Sequence, residues 1–387
     1  MSPGSETAPT VAVVGGGQLA RMMAEPAAAM GIPLRLLAEA PGVSASQVIP
    51  DHVVGSYTDL STLRAVVDGC RVVTFDHEHV PTDHLRALAG EGVAVRPGPE
   101  ALVHAQDKLV MRAALDRLDV PQPRHRAVTS VADVVDFGLP CVLKTARGGY
   151  DGKGVWFVDS AEECAPAFVS AERTGVAILA EERVPFEREL SALVARSPSG
   201  QAAAYPVVQS TQRDGICAEV VAPAPGLHPA HAAQAQELAL RIAGDLGVTG
   251  VLAVELFESG DRLVVNEIAT RPHNSGHFSI EGCVTSQFEN HLRAVLDWPL
   301  GSTALVAPAA VMVNLIPDSE RQASIDVARR LPAALAVPGA KVHLYDKAPR
   351  PGRKIGHVTA LGATLDDAGE RARQAAALLL QPGEASV

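Results

Sequence analysis

Short apolar runs alternate with amphipathic stretches over the first hundred residues. Thr10–Val14 is a β-branched run that stops at Gly15-Gly16-Gly17, a helical pattern follows from Gln18 to about Met30, and Pro33–Leu37 reads as a second strand. The strand Val53–Gly55, the helix Leu60–Asp68 and the strands Arg71–Phe75 and Val93–Val95 continue the alternation. This order predicts a doubly wound sheet. Arg96-Pro97-Gly98-Pro99 breaks the chain, and Ala101–Leu118 then reads as one helix with Asp107 and Lys108 inside it, stopped by Pro121 and Pro123.

From Pro140 the character changes to strands and loops. Cys141–Lys144 and Val155–Val158 are strands flanking the Gly-rich loop Thr145–Gly154, and Ser160 is placed to N-cap a helix reaching about Ala171. Val176–Glu181, Arg188–Arg196 and Ala202–Val208 follow as strands, Pro229–Leu246 as an amphipathic helix, and Val251–Phe257 with Arg262–Ile268 as a hairpin. A helix Ser286–Leu296 ends near Trp298-Pro299. Beyond Pro308 come strands Ala310–Leu315 and Lys341–Tyr345, a basic loop Lys347–Lys354 and a helix Ala368–Leu380. The pattern predicts a multidomain α/β and α+β chain, divided at 1–100, 101–305 (with a subdomain at about 125–183) and 306–387.

Composition narrows the class. With 387 residues, of which 47% are hydrophobic, the chain can bury a large core, and at about 150 residues per domain it makes two or three. Lys and Arg number 33 against 44 Asp and Glu, a net charge of −11, which argues against nucleic acid as a partner. No stretch of eighteen apolar residues suggests a membrane span, and Met1–Pro9 does not read as a signal peptide. The five scattered cysteines, none in a CxxC pair, read as reduced thiols of a cytoplasmic protein.

Several clusters carry candidate chemistry. Gly15-Gly16-Gly17 between a strand and a helix can offer backbone amides to an anion, with Ala20 in the last slot of a dinucleotide pattern and Glu39 as a candidate ribose partner. Lys144–Gly154 holds four glycines and three cations between two strands, a loop suited to wrapping phosphates. Glu255 and Glu267 are equidistant from residue 261, so the hairpin sets them opposite each other. Two facing carboxylates repel unless a cation sits between them, and hard oxygen ligands suit Mg²⁺. Glu181-Glu182-Arg183-Val184, followed by Glu189, lies at a strand end that can read an adenine edge and ribose hydroxyls. Arg271-Pro272-His273-Asn274-Ser275-Gly276-His277 packs a cation, two imidazoles and an amide beside the hairpin, and the basic loop through Lys354 reads as an anion clamp.

Taken in order, these stretches resemble the ATP-grasp superfamily, and within it the 5-(carboxyamino)imidazole ribonucleotide synthase family. The resemblance is carried by GGGQLARM at 15–22, GGYDGKG at 148–154, NEIATRPHNSGH at 266–277, SQFENHLRAVLDWPL at 286–300 and YDKAPRPGRKIGHV at 345–358. It implies an ATP-grasp fold with a Rossmann-like N-terminal pre-domain and a small C-terminal domain. It also implies that ATP, bicarbonate and aminoimidazole ribonucleotide react through carboxyphosphate, with Mg²⁺, in a homodimer.

Site roles follow from the same resemblance. Lys108, Lys144, Gly149, Tyr150, Asp151, Gly152, Lys153, Gly154 and Val155 would surround the ATP phosphates. Glu181, Glu182, Arg183, Val184, Glu189 and Gln212 would frame the nucleoside, with Asn266 and Glu267 beside it and Glu255 and Glu267 as metal ligands. Arg271, His273, Asn274, Asp151 and Lys354 would act on the carboxyl group, and Gly17, Gln18, Glu78, Tyr150, Arg350, Arg353 and Lys354 would hold the ribonucleotide. Three positions depart from the family pattern: Gln212 where His is frequent, Asp76-His77-Glu78-His79 in the pre-domain, and Thr270 before Arg271. The competing readings are another ATP-grasp ligase, such as a formate-using glycinamide ribonucleotide transformylase or a biotin carboxylase, a dinucleotide-dependent dehydrogenase, and a non-catalytic nucleotide-binding protein.

Overall fold

The computed structural model describes residues 8–149 and 152–381. The first unit is a parallel sheet of β1 (Val11–Val14), β2 (Leu34–Ala38), β3 (His52–Val54) and β4 (Val72–Phe75), in the order β3-β2-β1-β4. Alternate side chains of β1 enter opposite cores, as strand geometry requires. Val11 and Val13 pack with Leu19, Met23 and Leu36, whereas Ala12 and Val14 pack with Leu63, Val66, Leu85 and Leu88. The first of these cores also takes in Phe288, Leu292 and Tyr345, so the unit is built onto the rest of the chain.

Two readings of this region need correction. Val93–Val95 is not a strand but makes a single bridge, Val73 to Val95. The helix expected over Ala101–Leu118 is two helices, Pro99–Gln106 and Lys108–Arg117. Asp107 breaks it: extended itself, it accepts hydrogen bonds from the N–H groups of Leu109 and Val110 at 3.0 and 3.3 Å and caps the second helix. Lys108 therefore opens a helix.

The second sheet is antiparallel, with β5 (His125–Val128), β6 (Cys141–Thr145), β7 (Val155–Val158) and β8 (Ile178–Glu182) ordered β5-β8-β6-β7. Helices Val131–Phe137 and Ala165–Thr174 cover it. Ser160 does not cap the second of these; a turn of 3₁₀ helix, Glu162–Cys164, precedes it.

The largest sheet has nine strands: β9 (Arg188–Arg196), β10 (Ala202–Ala204), β11 (Val208–Arg213), β12 (Ile216–Ala222), β13 (Gly250–Ser259), β14 (Arg262–Ala269), β15 (Ala309–Leu315), β16 (Ala340–Leu344) and β17 (Gly356–Gly362). Its path runs β14-β13-β9-β11-β12-β15-β17-β16, and the β12–β15 ladder joins the C-terminal strands to the central ones. β11, β12 and β17 are finer than the sequence pattern resolves: the single strand expected over Ala202–Val208 holds only β10 and the start of β11.

The glycine turn after β1 closes around the protein's own carboxylates. Gly17 N–H and Ala20 N–H donate to Asp76 at 3.1 and 2.7 Å, and Gly16 N–H donates to Glu39 at 2.9 Å. A β-carbon on Gly17 would lie 2.1 Å from Asp76 Oδ2, so only glycine lets this carboxylate reach the helix. Gly17→Ala is expected to lose about 1–3 kcal/mol of stability, the usual range for overpacking. Urea unfolding checks it, through a lower midpoint at unchanged slope.

Candidate active site

The site is built on the β13–β14 hairpin. From Ser259–Arg262 inward, the ladder pairs Phe257 with Val264 and Leu256 with Val265. Continued, this register would set Glu255 opposite Asn266. A bulge between Glu255 and Leu256 shifts it by one residue and brings Glu267 opposite Glu255. The extra residue, Asn266, turns its own groups toward neighbours. Its backbone carbonyl accepts from Arg112 Nη2 at 2.6 Å, and its Oδ1 accepts from Lys144 Nζ at 3.0 Å.

Cations answer the two carboxylates unequally. Lys108 Nζ sits 2.7 Å from Glu267 Oε1 and holds that carboxyl below its usual range against the effect of burial. Glu255 has no such partner. Burial and the charges of Glu267 and Glu189 push it up to about 7, and its nearest cation-forming neighbour is His273 Nε2 at 3.3 Å. About a third of each carboxylate side chain stays open to the cleft, 33% for Glu255 and 38% for Glu267.

Behind the hairpin lies a second charge cluster. Glu181 is buried, with Arg112 Nε at 2.7 Å and Lys144 Nζ at 2.7 Å on its two oxygens. Burial alone would raise this carboxyl; the two cations hold it down at about 2. Arg112 reaches further, to the carbonyl of Val265 at 3.0 Å, and so ties β8 to β14. Lys144 stands on β6 and Lys108 at a helix start, so the two lysines come to the hairpin from different elements. Glu189 lies next to Gln212, and burial raises its pKa. Arg183 is exposed and pairs with Asp159 at 3.1 Å, while Glu182 is exposed and Val184 half-buried.

On the other side, Arg271 Nε lies 2.8 Å from Glu78 Oε1. His273 is held as a neutral imidazole at about 3 by burial and by Arg271 and Lys354. Its Nδ1 pairs with Ser275 Oγ at 2.8 Å, and Ser275 Oγ with Ser191 Oγ at 2.7 Å. Asn274 forms a reciprocal amide pair with Asn314 at 3.1 and 2.8 Å. The basic loop arrives from the C-terminal strands: Lys347 Nζ donates to Gln18 Oε1, Arg353 Nη1 donates to Ala348 O at 3.1 Å, and Arg350 is exposed. Lys354 is close enough to lower the pKa values of Glu255 and His273.

The hairpin, both lysines, the 271–274 segment and the basic loop thus line one cleft. Gly149, Gly152, Lys153 and Gly154 lie between β6 and β7 and Val155 opens β7, while Tyr150 and Asp151 lie outside the described residues. The glycine turn differs from the anion site expected of it, because Asp76 and Glu39 already occupy its amides. A bound dinucleotide phosphate would have to displace both. Arg112 and Asn314 escaped the sequence reading, and Asp76 entered it only as a departure from the family pattern. Only Arg112 left a local signal, standing four residues after Lys108 on one helix face.

Comparison with known proteins agrees along the chain. Residues 8–106 match the ribonucleotide synthetase preATP-grasp domain, 113–288 the ATP-grasp domain and 310–371 the phosphoribosylaminoimidazole carboxylase C-terminal domain. The N5-carboxyaminoimidazole ribonucleotide synthase of Mycobacterium leprae is 54% identical over 377 residues, covering 93% of this chain and 85% of that protein. The N5-carboxyaminoimidazole ribonucleotide synthetase of Thermus thermophilus superposes with a TM-score of 0.86 at 38% identity, covering 97% of this chain and all (100%) of that one. The Aspergillus clavatus N5-carboxyaminoimidazole synthase in complex with ADP and 5-aminoimidazole ribonucleotide gives 0.88 at 32% identity, covering 96% and 99%.

The buried Arg112–Glu181 pair generates a test. Arg112→Met leaves Glu181 short of one partner and is expected to lose about 3–5 kcal/mol at neutral pH. Glu181 titrates below its ordinary value of 4.5 in the folded chain, so the pair's contribution is complete above about 4.5 and is lost as pH falls toward 2. Urea unfolding should therefore show the gap between variant and parent narrowing across that window; a gap constant with pH would make the loss one of packing alone.

Proposed function

The chain belongs to the N5-carboxyaminoimidazole ribonucleotide synthase family of ATP-grasp ligases, and on that premise we propose how its cleft divides the reaction. The enzyme is an ATP-dependent carbon–nitrogen ligase of purine biosynthesis that carboxylates 5-aminoimidazole ribonucleotide with bicarbonate and releases ADP and phosphate. The observation that supports the division is the opposed pair Glu255 and Glu267, flanked by Lys108 and Lys144 on one side and by Arg271, His273 and Lys354 on the other.

Bicarbonate is a poor electrophile, and phosphorylation converts it to carboxyphosphate, which the 5-amino group can attack directly or after release of CO₂. The first half needs charge neutralised around a triphosphate more than it needs covalent help. Lys108 and Lys144 already hold carboxylates, so an arriving triphosphate exchanges one set of anionic partners for another without uncovering a bare ammonium. Glu255 and Glu267 fit Mg²⁺: they face each other across the ladder, and their carboxylate oxygens are hard donors. The two carboxylates would hold the metal, which would supply charge neutralisation at the transferring phosphoryl group.

For the second half, Arg271 and Asn274 gather the carboxyl group while His273, neutral at physiological pH, accepts a hydrogen bond beside it. The basic loop residues Arg350, Arg353 and Lys354, with Gln18 and Glu78 opposite, hold the ribonucleotide, and Gly17 acts through Asp76. Glu181–Val184, Glu189 and Gln212 border the nucleoside. Closure of the Gly-rich loop between β6 and β7 over the cleft would exclude water, which hydrolyses carboxyphosphate; Tyr150 and Asp151 keep the phosphate and ribonucleotide roles that the resemblance gives them. We further propose units at 1–100, 101–305 and 306–387, a cytoplasmic location and a homodimer. The exposed apolar side chains Val53, Val54, Val284 and Val306 support the dimer. Among the described residues no helix is long and apolar enough to cross a membrane.

Three measurements test this reading. ADP release should require both bicarbonate and the ribonucleotide when each co-substrate is omitted in turn; equal release with formate and glycinamide ribonucleotide would defeat it. Glu267→Gln should lower turnover by roughly 10²-fold or more, with the largest loss at limiting Mg²⁺. Lys354→Ala should raise the ribonucleotide KM roughly tenfold while the ATP KM stays within about twofold; the reverse ranking would move the basic loop to the triphosphate.

A further inference from the structure

Outside the residues assigned above, a buried group of rings lies between the 271–277 segment and the root of the basic loop. His277 and His357 have ring centroids 5.2 Å apart. His357 stacks on His343 at 4.5 Å, its direct partner across the β16–β17 ladder. Tyr345 Oη lies 2.7 Å from His357 Nδ1. His277, His357 and Tyr345 are 0–1% exposed, and burial keeps both histidines neutral.

Hydrogen-bond accounting fixes how the group is wired. The backbone N–H of His273 donates to Gln287 Oε1 at 2.9 Å, which sets the orientation of that amide. Gln287 Nε2 then donates both to His273 O at 2.8 Å and to His277 Nδ1 at 2.9 Å. His277 must accept at Nδ1 and carry its hydrogen on Nε2. One amide thus holds the main chain of His273 and the ring of His277 together. Gly276 allows this closeness, since a β-carbon there would lie 2.4 Å from Gln287 Oε1.

The other half of the group closes the basic loop. Tyr345 precedes the loop and its N–H donates to Ile355 O at 2.9 Å. The Tyr345–His357 bond is a second tie at the loop's base. Tyr345 also reaches the first unit, accepting at its carbonyl from Ser44 Oγ at 2.6 Å. Both His277 Nε2 and His357 Nε2 are buried without a protein partner among the described residues. Two unpartnered buried nitrogens lower stability, so a design for stability alone would have placed apolar rings here.

We propose that His277, His357 and Tyr345 are positioning residues for carboxyl transfer: they set the His273 segment against the loop that carries Arg350, Arg353 and Lys354. The chain runs from His273 through Gln287 to His277, across the ring contact to His357, and through Tyr345 to the loop base. None of the three touches the triphosphate side of the cleft. Their loss should therefore misalign the second half of the reaction while leaving the first in place. The inference rests on the assignment of that loop to the ribonucleotide.

The test uses His357→Phe and Tyr345→Phe, which keep ring volume and remove the hydroxyl–imidazole bond from opposite ends. In each, the ribonucleotide KM should rise at least fivefold with the ATP KM within twofold. The ratio of carboxylated product to phosphate released should fall at least threefold, and the double variant should be no worse than the more affected single one. If all variants keep the parent's KM values and product ratio within twofold, the proposal is overturned, and a uniform fall in turnover with an unchanged ratio overturns it equally. Tyr345→Phe decides alone if His357→Phe does not fold. Failure of the parent chain itself to carboxylate the ribonucleotide would instead overturn the functional assignment.

Discussion

Two carboxylates held face to face near a protein interior cannot both keep their charge without cations beside them. That constraint organises the cleft. Glu255 and Glu267 are opposed by the ladder, and the protein answers with Lys108 on one of them and leaves the other titrating near 7. Glu181, Arg112 and Lys144 form a second, buried layer that keeps positive charge close to the first. The result is a pair of acids compensated enough to fold, with one of them left short of a counter-charge.

The consequence for chemistry is a separation of roles by side. In the proposed division, lysines whose counter-ions are already in place lie toward the triphosphate. In the same proposal, a neutral imidazole, an arginine tied to Glu78 and a loop of cations lie toward the acceptor. A net charge of −11 is no obstacle to three anionic substrates, because the positive charge is gathered where they meet.

Much of this was legible in residues alone, and the exceptions have physical causes. The facing of Glu255 and Glu267 followed from simple counting about residue 261, yet the real turn has a different centre and only the bulge at Asn266 restores the pairing. Bulges leave little trace in hydrophobic alternation. Lys108 was found, but the apolar pattern runs on through Asp107, and its cap shows only once the backbone is seen to leave the helix there. The glycine turn looked open to ligands because Asp76, which fills it, is 59 residues away from Gly17. β17 was hidden because His357 and Thr359 are buried polar residues that interrupt its apolar pattern. The joint around Gln287 depends on contacts between segments far apart in the chain, and no spacing rule reaches them.

The nine-stranded sheet carries one further implication. Strand pairing continues from the hairpin with the paired glutamates to the strand that follows the basic loop, so both are carried on a single plate. The four-stranded sheet with the Gly-rich loop is not part of that plate. That second sheet still reaches the hairpin, because Lys144 on β6 donates to Asn266 and Glu181 on β8 is tied through Arg112 to Val265, so the geometry at the paired glutamates is shared between two sheets.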